Sequence, residues 1–145
     1  MNDLAPTNPS ALLAKEIAAL NNLEALLASC PPCPEQKVIN RFTPGLYSRT
    51  IHMQKGLVCT SKIHKTEHQF NVSKGVLKVW SEENGWELIV APYQGITKPG
   101  ARRALIILED TVWTTYHPTH TTNMEQLEAE LIEPHDIPLR PEELQ

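Results

Sequence analysis

Between Lys62 and His68 this chain places two imidazoles, a carboxylate and two ammonium groups, flanked by segments that read as β-strands. So dense a set of polar groups between strands points to a pocket wall. On a regular strand, side chains alternate, so Lys62, His64, Thr66 and His68 are expected on one side, with Ile63 and Lys65 on the other. Further on, Trp113, Thr115 and His117 form one alternate set and Val112, Thr114 and Tyr116 the other. If the first set faces inward, His117 joins His64 and His68 as a third neutral imidazole. Three such ligands suffice for Zn, Fe or Mn and leave open positions for a substrate. Glu67 or Glu109 can then act as catalytic base or as fourth ligand. A second use of the same region needs no metal. Lys62, Lys98, Arg102 and Arg103 can hold a phosphate or carboxylate, with Trp113 as a stacking face for a sugar or base. The competing expectation is that Arg102 and Arg103 pair with Glu109 and Asp110 across a hairpin. That arrangement would stabilise the fold and do nothing else.

These residues must be carried by short strands. Lys37 to Thr43, Leu46 to Met53, Leu57 to Ile63, Gly75 to Ser81, Trp86 to Val90, Tyr93 to Thr97, Arg103 to Leu108 and Thr111 to His117 are rich in β-branched and aromatic residues. Turn signals separate several of them: Pro44-Gly45, Gln54-Lys55-Gly56, Asn84-Gly85 and Lys98-Pro99-Gly100. Short strands at regular spacing, with no helix between them, predict an antiparallel sandwich or barrel over residues 37–121. His64-Lys65-Thr66-Glu67-His68 matches a pattern that zinc peptidases carry on a helix, but the strand-type flanks speak against that reading.

Two arms flank the barrel. Residues 1–36 hold an amphipathic helix, capped by Ser10 and striped by Leu12, Leu13, Ile17, Leu20, Leu23 and Leu27, then a link through Pro31, Pro32 and Pro34. Residues 122–145 hold a short helix capped by Thr122 or Asn123, with Met124, Leu127, Leu131 and Ile132 on one side, ended by Pro134 and followed by an acidic tail.

The run Gly56, His64, His68 and Gly75 resembles the first motif of cupins, a glycine, a His-x-His-x-x-x-Glu run and a second glycine. Gly95, Lys98-Pro99-Gly100 and Arg103 resemble the second motif. Together they span roughly residues 44–117 and imply a jelly-roll barrel with a metal site. Lys62 stands where cupins have the first histidine, His68 where they have glutamate and Arg103 where they have the second-motif histidine. Several phrases, among them Lys62 to His68 and Glu109 to Pro118, also look like those of small cupin-like proteins of tailed bacteriophages. This second resemblance implies a phage or prophage source and a place in the host cytoplasm or the virion.

Composition narrows the classes of function. The chain has 145 residues and a net charge of −4, yet residues 37–121 carry +5 against −3 and −6 in the two arms. A basic middle suits a small anionic ligand or the acidic arms of neighbouring copies. Without a basic helix or an aromatic-interleaved basic stripe, direct nucleic-acid binding is not expected. Neither a membrane span nor a signal peptide is expected. Three cysteines, Cys30, Cys33 and Cys59, do not suggest a disulfide framework, and Cys30-Pro-Pro-Cys33 reads as a proline-rich link. Three functions fit: a binding protein that holds a metal ion, a small anion or both; a virion structural protein such as a capsid decoration or adaptor; and a metal-dependent enzyme on a sugar, nucleotide or small acid. The arms suggest a homo-oligomer or contact with phage capsid or tail proteins.

Overall fold

Seven strands and one helix run through the residues that the computed structural model describes, 36–133. In chain order they are β1 (Lys37–Thr43), β2 (Leu46–Met53), β3 (Val58–Thr60), β4 (His68–Ser81), β5 (Gly85–Val90), β6 (Tyr93–Thr97), β7 (Arg103–Pro118) and α1 (Met124–Leu131). The helix expected over residues 10–29, the Cys30 to Cys33 link and the tail from Pro134 lie outside the described residues.

All pairings are antiparallel, and β7 organises them. Its Thr111 to Pro118 half pairs with β2, its Ala104 to Ile106 part with β3, and almost its whole length with β4. In turn β4 pairs through His68 to Val72 with β6 and through Val76 to Ser81 with β5. Two long strands therefore each serve both ends of the molecule, which makes the antiparallel jelly-roll barrel that the strand pattern predicts.

Of the two long strands, β7 was expected as two shorter ones and β4 only over Gly75 to Ser81. Glu109-Asp110 does not interrupt β7; the pair is exposed where the strand bends. Register shifts between Val72 and Leu77 likewise mark bulges in one continuous β4, because a bulge bends a ladder without ending it. Gly75 sits in this bend at φ +113°, and a Cβ there would lie 2.6 Å from Thr111 Cα. The expected strand Leu57 to Ile63 is a correction in the other direction. Only Val58–Thr60 pairs with β7; beyond Ser61, whose N–H reaches the Arg103 carbonyl, the chain leaves the sheet.

A buried cluster of Met53, Phe70, Val72, Leu77, Val79, Ile89, Leu105, Ile107 and Trp113 fills the barrel. Leu77 and Ile107 face each other across β4 and β7 and are 0% and 1% exposed. Each such side chain stabilises the fold by about 1.5–3 kcal/mol through burial. A smaller cluster, Tyr47 with Leu127 and Leu131, fixes α1 against the barrel. Asn123 caps this helix, accepting from the Gln126 N–H at 3.1 Å. Eight residues are too few for a stable isolated helix, so these two leucines hold it in place. Met124, expected on the same side, is 47% exposed. No helix among the described residues is long and apolar enough to cross a membrane.

Candidate metal centre

His64, His68 and His117 meet, and three different parts of the fold bring them together. On β2 and β7, Tyr47 opposes His117; on β4 and β7, Gln69 opposes Tyr116, which carries His68 alongside His117. His64 arrives from the loop after β3. It forms a β-bridge with Ile132, flanked by Lys65 N–H to the Leu131 carbonyl (2.7 Å) and Glu133 N–H to the Ile63 carbonyl (2.8 Å). Gly100 N–H donates to the His64 carbonyl at 2.9 Å from the other side. Thus the end of α1 and the turn before β7 together hold a ligand that no strand carries. The expected alternation of Lys62, His64, Thr66 and His68 along one strand is therefore replaced by a bridged loop.

Ring centroids are 4.4 Å apart for His64 and His68, 4.5 Å for His68 and His117, and 5.4 Å for His64 and His117. One ligand nitrogen from each ring lies within 4.8 Å of the others. His68 and His117 are buried and His64 is half-buried. His68 Nδ1–H donates to the Thr66 carbonyl at 3.2 Å, which leaves Nε2 with a free lone pair. His117 Nε2 bonds Thr115 Oγ1 at 2.9 Å, while its Nδ1 is buried without a hydrogen-bond partner. Buried polar atoms are seldom left so. A divalent cation among the three rings would satisfy it, and a hydrogen bond on the opposite ring nitrogen is how metal-ligating histidines are oriented.

Electrostatics keep the rings in their ligating form. Burial, then the His68 ring and the Arg49 guanidinium, lower the His64 pKa to about 4. Burial, then His68, His64 and Arg49, lower His117 to about 3, and burial also lowers His68. At neutral pH all three are uncharged, as metal binding requires.

The cluster opens onto a cavity of about 780 Å³. Its wall includes Arg49, Thr97, Arg103 and Thr115 near the histidines, and Ile51, Met53, Leu57, Leu105 and Trp113 as an apolar part. Trp113, Thr115 and His117 thus face inward. Phe70 stacks on Trp113 at 4.5 Å, and the Arg103 guanidinium lies 5.0 Å from the Phe70 ring centroid while Nη1–H donates to Thr97 Oγ1 at 2.6 Å. Gly95 makes room for this stack, since a Cβ there would come within 2.7 Å of Phe70.

Several expected site residues lie elsewhere. Glu67 is exposed and ion-paired with Lys98 at 2.5 Å. Glu109 is exposed and pairs with Lys55 at 3.8 Å. Neither carboxylate lines the cavity, so neither is placed as base or fourth ligand. Lys62 is on the cavity rim with its ammonium 3.2 Å from Glu128, and Lys98 and Arg102 do not line the cavity. Of the four expected cations only Arg103 reaches inside. The expected pairing of Arg102 and Arg103 with Glu109 and Asp110 is also corrected. Arg103 and Glu109 share one strand and are roughly 20 Å apart along it at about 3.3 Å per residue. Lys55 takes both acids instead, its N–H donating to Asp110 Oδ1 at 2.9 Å.

The sequence reading missed Tyr47 and Arg49. Tyr47 stacks on His117 at 5.6 Å, and its hydroxyl donates to Asn40 Oδ1 at 2.6 Å. The signal was present in β2, where Tyr47, Arg49, Ile51 and Met53 form one alternate set with a single charge among apolar side chains.

No protein-family model and no curated protein matches this chain. Solved structures do. A conserved protein with a double-stranded β-helix domain from Klebsiella pneumoniae matches with TM-score 0.52 at 14% identity, over 68% of this chain and 90% of that one. An RmlC-like cupin family protein from Methanocaldococcus jannaschii matches with TM-score 0.50 at 9% identity, over 68% and 91%. The fold is that of a cupin. Salicylate 1,2-dioxygenase from Pseudoaminobacter salicylatoxidans matches with TM-score 0.55 at 12% identity, over 83% of this chain but 36% of that one. At these identities the likeness concerns the fold alone.

Proposed function

We propose that this chain is a cupin-type barrel that holds a divalent metal ion on His64, His68 and His117 and receives a small anionic ligand beside it. The observation that carries this reading is the convergence of three neutral imidazoles on one point, with the buried Nδ1 of His117 left unpartnered. Nitrogen ligands suit Zn, Fe or Mn, and three of them leave positions open. When bound, the ion supplies Lewis acidity to whatever oxygen a ligand places against it. The chain's own contribution is to orient the imidazoles through Thr66 and Thr115, to keep them deprotonated by burial, and to wall the site with an apolar cavity. The test is metal content by mass spectrometry on untagged protein beside a His64→Ala/His68→Ala variant. Near-stoichiometric Zn, Fe or Mn that disappears in the folded variant is expected; no metal in either protein overturns the reading.

A metal-dependent enzyme on a sugar, nucleotide or small acid is the same site put to use. It is favoured by a cavity of about 780 Å³, within the size range of small-molecule pockets, directly beside the histidines. A salicylate 1,2-dioxygenase with a similar fold over 36% of its length is, by its name, an enzyme on a small acid. A virion role, with the phage source implied by the sequence phrases, is favoured by a different feature. Trp86, Leu88 and Val90 are 53–60% exposed on β5 at the edge of the sheet, an apolar row suited to a neighbouring subunit. In that case the double-histidine variant assembles normally, and deletion of residues 1–29 prevents assembly.

A further inference from the structure

The register of β2 and β7 orders the cavity in layers. Tyr47 opposes His117, Arg49 opposes Thr115, and Ile51 opposes Trp113. Arg49 therefore projects between the histidine level and the apolar level below it. Arg103 reaches the same region from the start of β7, and both guanidinium groups act electrostatically on His64. Among the described residues neither arginine has a carboxylate within ion-pair distance; the ion pairs there belong to Lys55, Lys62 and Lys98. The cavity-lining acids, Glu125 and Glu128, are exposed on α1, and Glu128 is engaged by Lys62.

Two half-buried positive charges stand beside three uncharged rings, and among the described residues no carboxylate pairs with either; Glu83 and Glu87 act on Arg103 only from beyond ion-pair distance. Such an excess in a partly dehydrated cavity is relieved by a bound anion. A bare inorganic anion would fill only the polar layer and leave Ile51, Met53 and Trp113 facing an empty space. The ligand thus needs an apolar body below its charged head. The donors on offer are side-chain guanidinium forks, which match a planar carboxylate. Guanidinium forks also take phosphate, but the backbone N–H groups that commonly complete a phosphate site are not offered by α1, whose N-terminus is closed by the Asn123 side chain, and this favours the singly charged carboxylate.

We infer that this cavity takes a monocarboxylate with an apolar, ring-sized body, its carboxylate held by Arg49 and Arg103 at the histidine level and its body against Ile51, Met53 and Trp113. The inference rests on the proposed metal centre, which adds a divalent cation at the same level.

The test is calorimetric titration of the full zinc-loaded chain with benzoate, with metal content measured on the same samples. Acetate keeps the head and lacks the body; benzamide keeps the body and lacks the charge. Both are expected to bind at least about tenfold more weakly than benzoate, as loss of a charge-assisted contact or of apolar burial implies. Arg49→Met and Arg103→Met are each expected to weaken benzoate about tenfold or more while keeping their zinc and their melting temperature. Benzamide binding as well as benzoate, phenyl phosphate binding more tightly than benzoate, or wild-type benzoate affinity in either folded variant overturns the inference. Repeating the titration on metal-free protein separates it from the metal reading. Benzoate binding lost in Arg49→Met, in a chain that takes up no zinc, leaves the carboxylate site standing and the metal centre refuted. Zinc uptake without benzoate binding does the reverse.

Discussion

Strand β7 passes through two interiors, and they differ in kind. In its first half, Ile107 packs with Leu77 and Val79 in an apolar layer that lies away from the cavity wall. Near its end, Trp113, Thr115 and His117 face a cavity that also contains two arginines and two further histidines. One ladder of backbone hydrogen bonds supports both. The closed end supplies the dehydration energy that holds the barrel together, and the open end places polar groups where burial alone would not put them. In this barrel, stability and chemistry are carried by different positions of the same strand.

The sharpest way to break this division is at the closed end. Ile107→Ala removes a side chain that is 1% exposed, and is expected to cost about 2–5 kcal/mol in urea unfolding. Its folded fraction should still carry metal in the same ratio as the wild type; loss of the metal together with stability would show that the two ends are not separable. Acid should distinguish them next. Because the folded-state pKa values of His64 and His117 lie near 4 and 3, below an unfolded value of about 6.5, the unfolded chain binds more protons between these limits. Stability of the metal-free protein therefore falls as the pH drops from about 6.5 towards 4. His117→Gln should flatten that slope, and an unchanged slope would mean that the rings titrate normally. The smallest effect is expected at the rim. Lys62→Met breaks only an exposed pair with Glu128 and should change stability by less than about 1 kcal/mol, with metal content unaltered. A larger loss would assign the Lys62 contact a part in holding α1.

Most of the barrel was legible in the sequence because half-buried strands announce themselves by β-branched residues and turns. The bounds of β1, β2 and β6 coincide with the expected ones. What escaped was continuity: nothing in Glu109-Asp110 or Ser73-Lys74-Gly75 says whether the chain turns or merely bends. The three histidines were legible by type and, for His117, by alternation. His64 reached the cluster for a reason no local pattern contains, its bridge to Ile132 far along the chain. Arg49 escaped because the expected cations, Lys62, Lys98, Arg102 and Arg103, stand in or beside polar, turn-rich segments, whereas Arg49 stands inside a strand. Long flexible cations near a rim pair with exposed acids, and Arg49, which joins Arg103 inside, is marked by breaking an apolar alternate set.

The bridge between His64 and Ile132 also fixes an order of events during synthesis. A ribosome delivers the chain from its N-terminus, and the strands from Lys37 to Pro118 emerge before α1 does. His68 and His117 can be side by side at that stage, while the His64 backbone is held only by the Gly100 N–H until residues 131–133 have left the exit tunnel. A nascent barrel therefore presents two imidazoles fixed by strands and a third tethered from one side. A translation product cut short before Leu131 lacks the bridge and would hold the proposed metal ion less tightly.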